Sequence, residues 1–293
     1  LPRALRLAPV RVPWSRVFSH EVTLGAPALF AEGMTGITNG DVRDAVLAHA
    51  MAVIDAFGTD RIEDEQIEAS PAVYAVLGQA RRERNRALMR VLRGTPLASC
   101  NFESTDLQSV RAIRRERQVL RTACPVEFEE YERASRDKQG VGIVASIALA
   151  RAAGWDDRRC DAVRSALEDV WLGLQMNDDV VDWEDDMQNG GAWAVCLAMA
   201  MDERPAEGER LLTLPEVRRR VLASGVLRRM LAGALRHMRA ARRLSAALGA
   251  QRLSAWALGQ EQRLETLITA ECRSPGYAVR AHALSAWAGE VLA

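Results

Sequence analysis

Apolar residues recur along this chain at spacings of three and four rather than two, the period of helices that bury one face. The pattern predicts helices near 41 to 66, 72 to 93, 105 to 121, 126 to 153, 157 to 187, 191 to 202, 215 to 248, 250 to 272 and 277 to 291. Punctuation falls at their ends, at Ser70-Pro71, Gly94-Thr95-Pro96, Pro125, Gly154, Gly190-Gly191, Pro205, Pro215, Gly249 and Pro275-Gly276. Alanine, leucine and arginine dominate and β-branched runs are scarce, which favours helix throughout. No shift of composition, flexible linker or fixed-period repeat divides the chain. The expected architecture is therefore all-α, a single domain over residues 26–293 preceded by an N-terminal arm, 1–25.

Two of these apolar faces run into acid. In the first helix Val46, Ala50, Val53 and Phe57 follow steps of four, three and four, and the series continues to Asp60 and Asp64, with Glu63 alongside. In a later helix Leu167, Trp171 and Leu174 continue to Asp178 and Asp182, with Gln175 and Asp179 beside them. The segment QMNDDVVDWEDDMQNGG places six carboxylates between Asp178 and Asp186. Carboxylates directed into a bundle must be neutralised, paired or coordinated. An all-oxygen donor set without nearby His or Cys suits a hard cation, Mg²⁺ above all when a substrate phosphate completes its shell. An EF-hand is excluded, because the alternating D-x-D-x-D-G loop is missing. The plain alternative for each segment is a solvated acidic helix end.

Charge adds one more position. Lysine plus arginine balance aspartate plus glutamate at 39 each, so nothing global draws the chain to nucleic acid or an acidic membrane. The basic residues are 38 arginines and one lysine, Lys138. Tyr131, Ser135, Lys138, Gly142 and Ala145 share one face of the expected 126 to 153 helix, and Gly140 and Gly142 leave room for close approach. A mid-helix lysine by itself reads as a surface residue snorkelling to water. The five cysteines are scattered without a CxxC pair, which fits a reducing, cytoplasmic setting. The longest apolar run, Val141 to Ala150, is too short to span a bilayer, and no segment resembles a signal peptide, although the chain opens at Leu1.

Taken together, these residues resemble the class I isoprenoid synthase superfamily, the trans-prenyl diphosphate synthases and the terpene cyclases that share their all-α fold. In the synthases a Y-x6-K-[TS] motif precedes, by about forty residues, a helix bearing Q-x-x-D-D-x-x-D. Tyr131 and Lys138 reproduce the first spacing, and Gln175, Asp178, Asp179 and Asp182 the second. The resemblance is good from about Glu127 to Gly191 and weak elsewhere. It implies a helical bundle around a central apolar cavity. It also implies Mg²⁺, about three ions bound with the substrate diphosphate and held by Asp60, Glu63, Asp64, Asp178, Asp179 and Asp182. Catalytic weight falls on Asp178, Asp182 and Lys138. Gln175, Tyr131, Phe57 and Trp171 are then substrate contacts, with the aromatics facing an allylic cation. Arginines assisting the diphosphate are sought among Arg81, Arg82, Arg236, Arg239, Arg273 and Arg280. The family allows a homodimer.

The departures bear on reaction type. The first acidic motif is the variant Asp60-Arg61-Ile62-Glu63-Asp64, and Gln139 replaces the Thr or Ser after the lysine. The G-G-K-R-x-R-P and R-R-G elements that hold the second substrate in chain-elongating enzymes are missing. The expectation is accordingly a cyclase acting on one prenyl diphosphate, with a chain-elongating or acceptor-directed prenyltransferase, or a catalytically silent partner subunit, as the alternatives. The cyclase N-S-E triad is itself imperfect, since Asn177, Val181 and Asp185 occupy its spacing and Val181 cannot ligate.

Overall fold

A computed structural model of the chain describes residues 21–93, 102–201 and 213–273. These residues form twelve α-helices joined by turns, with no strand among them. They are α1 (Glu21–Ala31), α2 (Asn39–Glu63), α3 (Pro71–Leu92), α4 (Phe102–Thr122), α5 (Phe128–Gln139), α6 (Val144–Ala152), α7 (Asp157–Val181), α8 (Trp183–Asn189), α9 (Trp193–Ala200), α10 (Leu214–Ser224), α11 (Val226–Ala247) and α12 (Gln251–Arg273). The all-α expectation holds. The helix expected over 277 to 291 lies outside the described residues. No described helix is long and apolar enough to cross a membrane.

Local chemistry sets the helix starts. Thr38 caps α2 in a reciprocal box with Asp41, Ser70 caps α3 just before Pro71, and Asp156 caps α7 through the Arg159 amide. Three long helices expected from the sequence are each broken. The 126 to 153 helix divides at a 3₁₀ turn, Gly140–Gly142, so Lys138 lies in the last turn of α5 rather than mid-helix. The 157 to 187 helix divides at Asp182, the C-cap of α7 and N-cap of α8. The 215 to 248 helix divides at Gly225, whose φ of 72° is a left-handed conformation that ends α10.

Helix α7 organises the rest. Its first half, with Cys160, Val163, Leu167 and Val170, belongs to a core shared with α1, α2, α3 and α6. Met176 and Val180, in its second half, belong to another core, shared with α5, α9, α10, α11 and α12. The closest approach is to α11, where a side chain added at Gly173 would come within 2.7 Å of Met238, and one at Gly233 within 2.8 Å of Met176. Helix α1 begins inside the span expected as an arm and buries Val22, Ala26, Leu29 and Phe30. A cavity of about 350 Å³ lies between α2, α3, α4 and the 3₁₀ turn. Ala56, Thr59, Val110, Ile113 and Val141 line it, and Asp55, Arg81 and Asp106 give it a charged border.

Candidate active site

The two acidic segments finish helices, where the backbone dipole is negative and carboxylates are disfavoured. Each of the two needs compensation, and each receives it differently. Asp60 lies in the last turn of α2, and Asp64 is that helix's C-cap. Lys138 reaches Asp60 at 3.0 Å, and Arg117 from α4 reaches Asp64 at 3.5 Å. Asp60 and Asp64 of the first acidic end thus each face a basic side chain.

Lys138 is held by more than Asp60. Its ammonium also meets Glu116 at 3.0 Å, and the Trp193 indole N–H donates to Glu116 at 3.2 Å. The Ser109 hydroxyl donates to the Lys138 carbonyl at 2.6 Å and fixes the backbone where α5 ends. Burial works against the ammonium, but Glu116 and Asp60 outweigh it and hold Lys138 above the usual lysine value. Burial raises the Glu116 carboxyl, opposed by Lys138. Sequence reasoning missed Glu116, because Arg114-Arg115-Glu116-Arg117 reads as a solvated charge run. The signal was present in register: Thr105, Ser109, Ala112 and Ile113 are the buried face of α4, and Glu116 is its next member.

The second acidic end has less positive charge around it. Burial raises the Asp178 carboxyl, and Lys138 is the cation that opposes the rise. Asp182 is pushed up to about 9 by burial and by Asp178 and Asp186, while Asp186 is pushed to about 6 by burial and Asp178. One oxygen of Asp182, Oδ1, is buried without a hydrogen-bond partner. Burial and like charge thus favour the neutral form of Asp182, and a cation bound there would favour the charged one. Asp179 is different: Tyr131 donates to its Oδ2 at 2.5 Å and Gln175 to its Oδ1 at 2.8 Å. Gln139 donates in turn to Gln175 at 3.0 Å. Tyr131 and Gln175 therefore brace Asp179 and tie α5 to α7.

Other expected residues lie apart from this cluster. Glu63 turns outward to Arg114 at 3.0 Å. Phe57 is 52% exposed, because the inward face of α2 is Ala45, Ala48, His49, Ala52 and Asp55, rotated from the expected stripe by the packing of α1, α3 and α6. Trp171 is half-buried and stacks on His49 at 6.3 Å, its N–H without a partner. Of the candidate arginines, Arg81 pairs with Asp55, Arg82 with Gln79, Arg236 with Glu132, and Arg239 with Glu261 and Glu265. Arg273 is exposed and Arg280 lies outside the described residues.

Among the described residues no three His, Cys, Asp or Glu side chains converge tightly enough to hold a metal alone. The donors still suit a hard divalent ion whose remaining ligands are phosphate and water. They are carboxylate oxygens, and one of them is buried without a partner.

No protein-family model and no curated protein sequence matches the chain. Solved structures do match it. A polyprenyl synthetase from Streptomyces coelicolor A3(2) superposes with a TM-score of 0.63 at 17% identity, covering 87% of this chain and 93% of its own. A geranylgeranyl pyrophosphate synthase from Corynebacterium glutamicum gives 0.60 at 18% identity over 81% and 80%. A polyprenyl synthase from Caulobacter crescentus, crystallised with calcium and isoprenyl diphosphate, gives 0.53 at 20% identity over 79% and 83%. The chain has the class I isoprenoid synthase-like fold of these prenyl diphosphate synthases.

Proposed function

We propose that the chain is a Mg²⁺-dependent prenyltransferase that takes an allylic prenyl diphosphate at the cleft between the ends of α2 and α7 and transfers its prenyl group to isopentenyl diphosphate. The carrying observation is the position of Lys138, paired to Asp60 of the first acidic end and within electrostatic reach of Asp178 of the second. A diphosphate seated there would meet one protein cation and carboxylates on two sides. Asp60, Asp64, Asp178 and Asp182 would hold Mg²⁺, which supplies charge neutralisation of the leaving diphosphate. Lys138 binds the same phosphate oxygens and stabilises the negative charge that develops as the allylic C–O bond breaks. The double bond of isopentenyl diphosphate then closes a new C–C bond to the allylic carbon, and the proton lost from it leaves with pyrophosphate. Asp179 is too enclosed by Tyr131 and Gln175 to serve as more than an anchor for the segment.

Prenyl transfer is preferred to the cyclisation expected from the sequence because the matching folds are polyprenyl and geranylgeranyl synthases. Cyclisation remains the second reading, favoured by the missing G-G-K-R-x-R-P and R-R-G elements. One assay divides them: purified chain with C10, C15 or C20 allylic diphosphate and Mg²⁺, with and without isopentenyl diphosphate, the extracts resolved by mass spectrometry. Longer diphosphates formed only with isopentenyl diphosphate support transfer. A hydrocarbon or alcohol formed without it replaces transfer by cyclisation, and no product under any condition rejects both. A second copy of the chain, the homodimer allowed by the family, is part of this proposal.

A further inference from the structure

We propose that Arg117 is a diphosphate-binding residue of this site, the second protein cation on the substrate phosphates beside Lys138. The proposal rests on the prenyl diphosphate reading above. Three arginines of α4, Arg114, Arg117 and Arg121, face the end of α2 and pair with three successive acids, Glu63, Asp64 and Glu65. They border a cleft of about 430 Å³. Arg114 and Arg121 have side chains 66% and 48% exposed, where an ion pair is weak and solvent-screened. Arg117 is only 14% exposed.

Arg117 is also the one left short of partners. A guanidinium carries five N–H donors. That of Arg117 reaches one carboxylate oxygen at 3.5 Å, and its Nε is buried without an acceptor. A charged group so placed costs stability unless an anion completes it. Its position supplies the anion. Asp64 follows Asp60 by one helical turn, so Arg117 and Lys138 flank the two acids of the first motif. On its other side the guanidinium lies against Gly190, just past the second acidic segment, where a Cβ would meet Nη1 at 2.2 Å. The backbone has a φ of 136° there, a conformation suited to glycine, and leaves the space to the arginine. Arg117 thus lies between Asp64 of the first acidic end and the turn that follows the second, the two segments between which the diphosphate is proposed to sit. The arginines expected from the sequence are engaged elsewhere, as described above. Were Mg²⁺ to engage Asp64, Arg117 would give up its one carboxylate partner among the described residues, and phosphate oxygens would suit it as the replacement.

The test is calorimetric titration of inorganic pyrophosphate, with Mg²⁺ in excess, into wild type, R117Q, R117K and R114Q, with circular dichroism to verify folding. The expected result is binding by wild type, a Kd raised roughly tenfold or more in R117Q, a smaller rise in R117K because the planar fork is lost, and R114Q within about twofold of wild type. Failure of wild type to bind pyrophosphate overturns both the site reading and Arg117. Binding by wild type with R117Q and R117K unchanged overturns Arg117 alone. An equal loss in R114Q also overturns it, since a general basic surface would then be acting. If R117Q does not fold, R117K decides the matter.

Discussion

Lys138 is paired to two carboxylates on different helices, Asp60 on α2 and Glu116 on α4. That arrangement makes it a junction, so its removal should be felt in both structure and chemistry. Lys138→Ala should lose most turnover and lower the melting temperature, and Lys138→Arg should still be impaired because a planar fork cannot replace a compact charge. Steady-state kinetics equal to wild type in both variants would return Lys138 to a structural role. Asp178→Ala and Asp182→Ala should each abolish Mg²⁺-dependent turnover while helical circular dichroism is retained, because both acids stand at the C-terminal end of α7, Asp178 in its last turn and Asp182 as its C-cap. The spacings that brought Tyr131, Lys138, Gln175 and Asp178 to notice were legible because each pair lies along a single continuous segment. Glu116 and Arg117 were not, since their meaning depends on which side of α4 is covered.

At the scale of elements, helix locations were legible along the chain, whereas helix continuity and the rotation of α2 and α4 were not. The breaks at Gly140–Gly142 and Asp182 fall beside Lys138 and inside the second acidic motif, so each places a charged side chain at a helix end. Gly191 shows how tightly the following turn is seated: at a φ of 122° a Cβ there would meet the Leu120 carbonyl oxygen at 2.3 Å. Gly191→Ala should therefore destabilise the fold by roughly 1–3 kcal/mol, read from thermal or urea denaturation. A second tie, across α5, α7 and α11, is titratable. His237 meets Asp169 at 2.7 Å and Glu132 at 3.4 Å, with Arg236 on the same Glu132. Burial opposes protonation, but the two carboxylates win and raise the His237 pKa above 6.5. A raised folded pKa contributes stability that is complete below the unfolded value, near 6.5, and is lost as pH rises through the folded one. The melting-temperature gap between wild type and His237→Gln should be wider at pH 6 than at pH 9, and an equal gap at both would exclude the charged tie.

For the whole molecule, α7 is the element that both cores require. Leu167 is fully buried in the first core, and Met176 in the second, on the same helix that carries Asp178 and Asp182. Leu167→Ala should cost about 2–5 kcal/mol, since the surrounding helices cannot all close on the cavity. Measured by denaturant unfolding, a loss well under 1 kcal/mol would show that this core is loosely packed. The fold is shared with synthases at 17–20% identity, so it survives nearly complete replacement of the side chains that build it.

The sequence by itself determined the helical class and two acidic helix ends. It also determined the lysine spacing, because periodicity and short-range spacing are properties of one strand of covalent chain. Only the tertiary structure decided how those charges are compensated. Lys138 and Arg117 come to the first acidic end from α5 and α4, burial raises the carboxyls of the second, and Phe57 turns outward while Glu116 turns inward. Such choices depend on the rotation of each helix about its axis, which is fixed by the neighbours that cover it and not by the pattern along it.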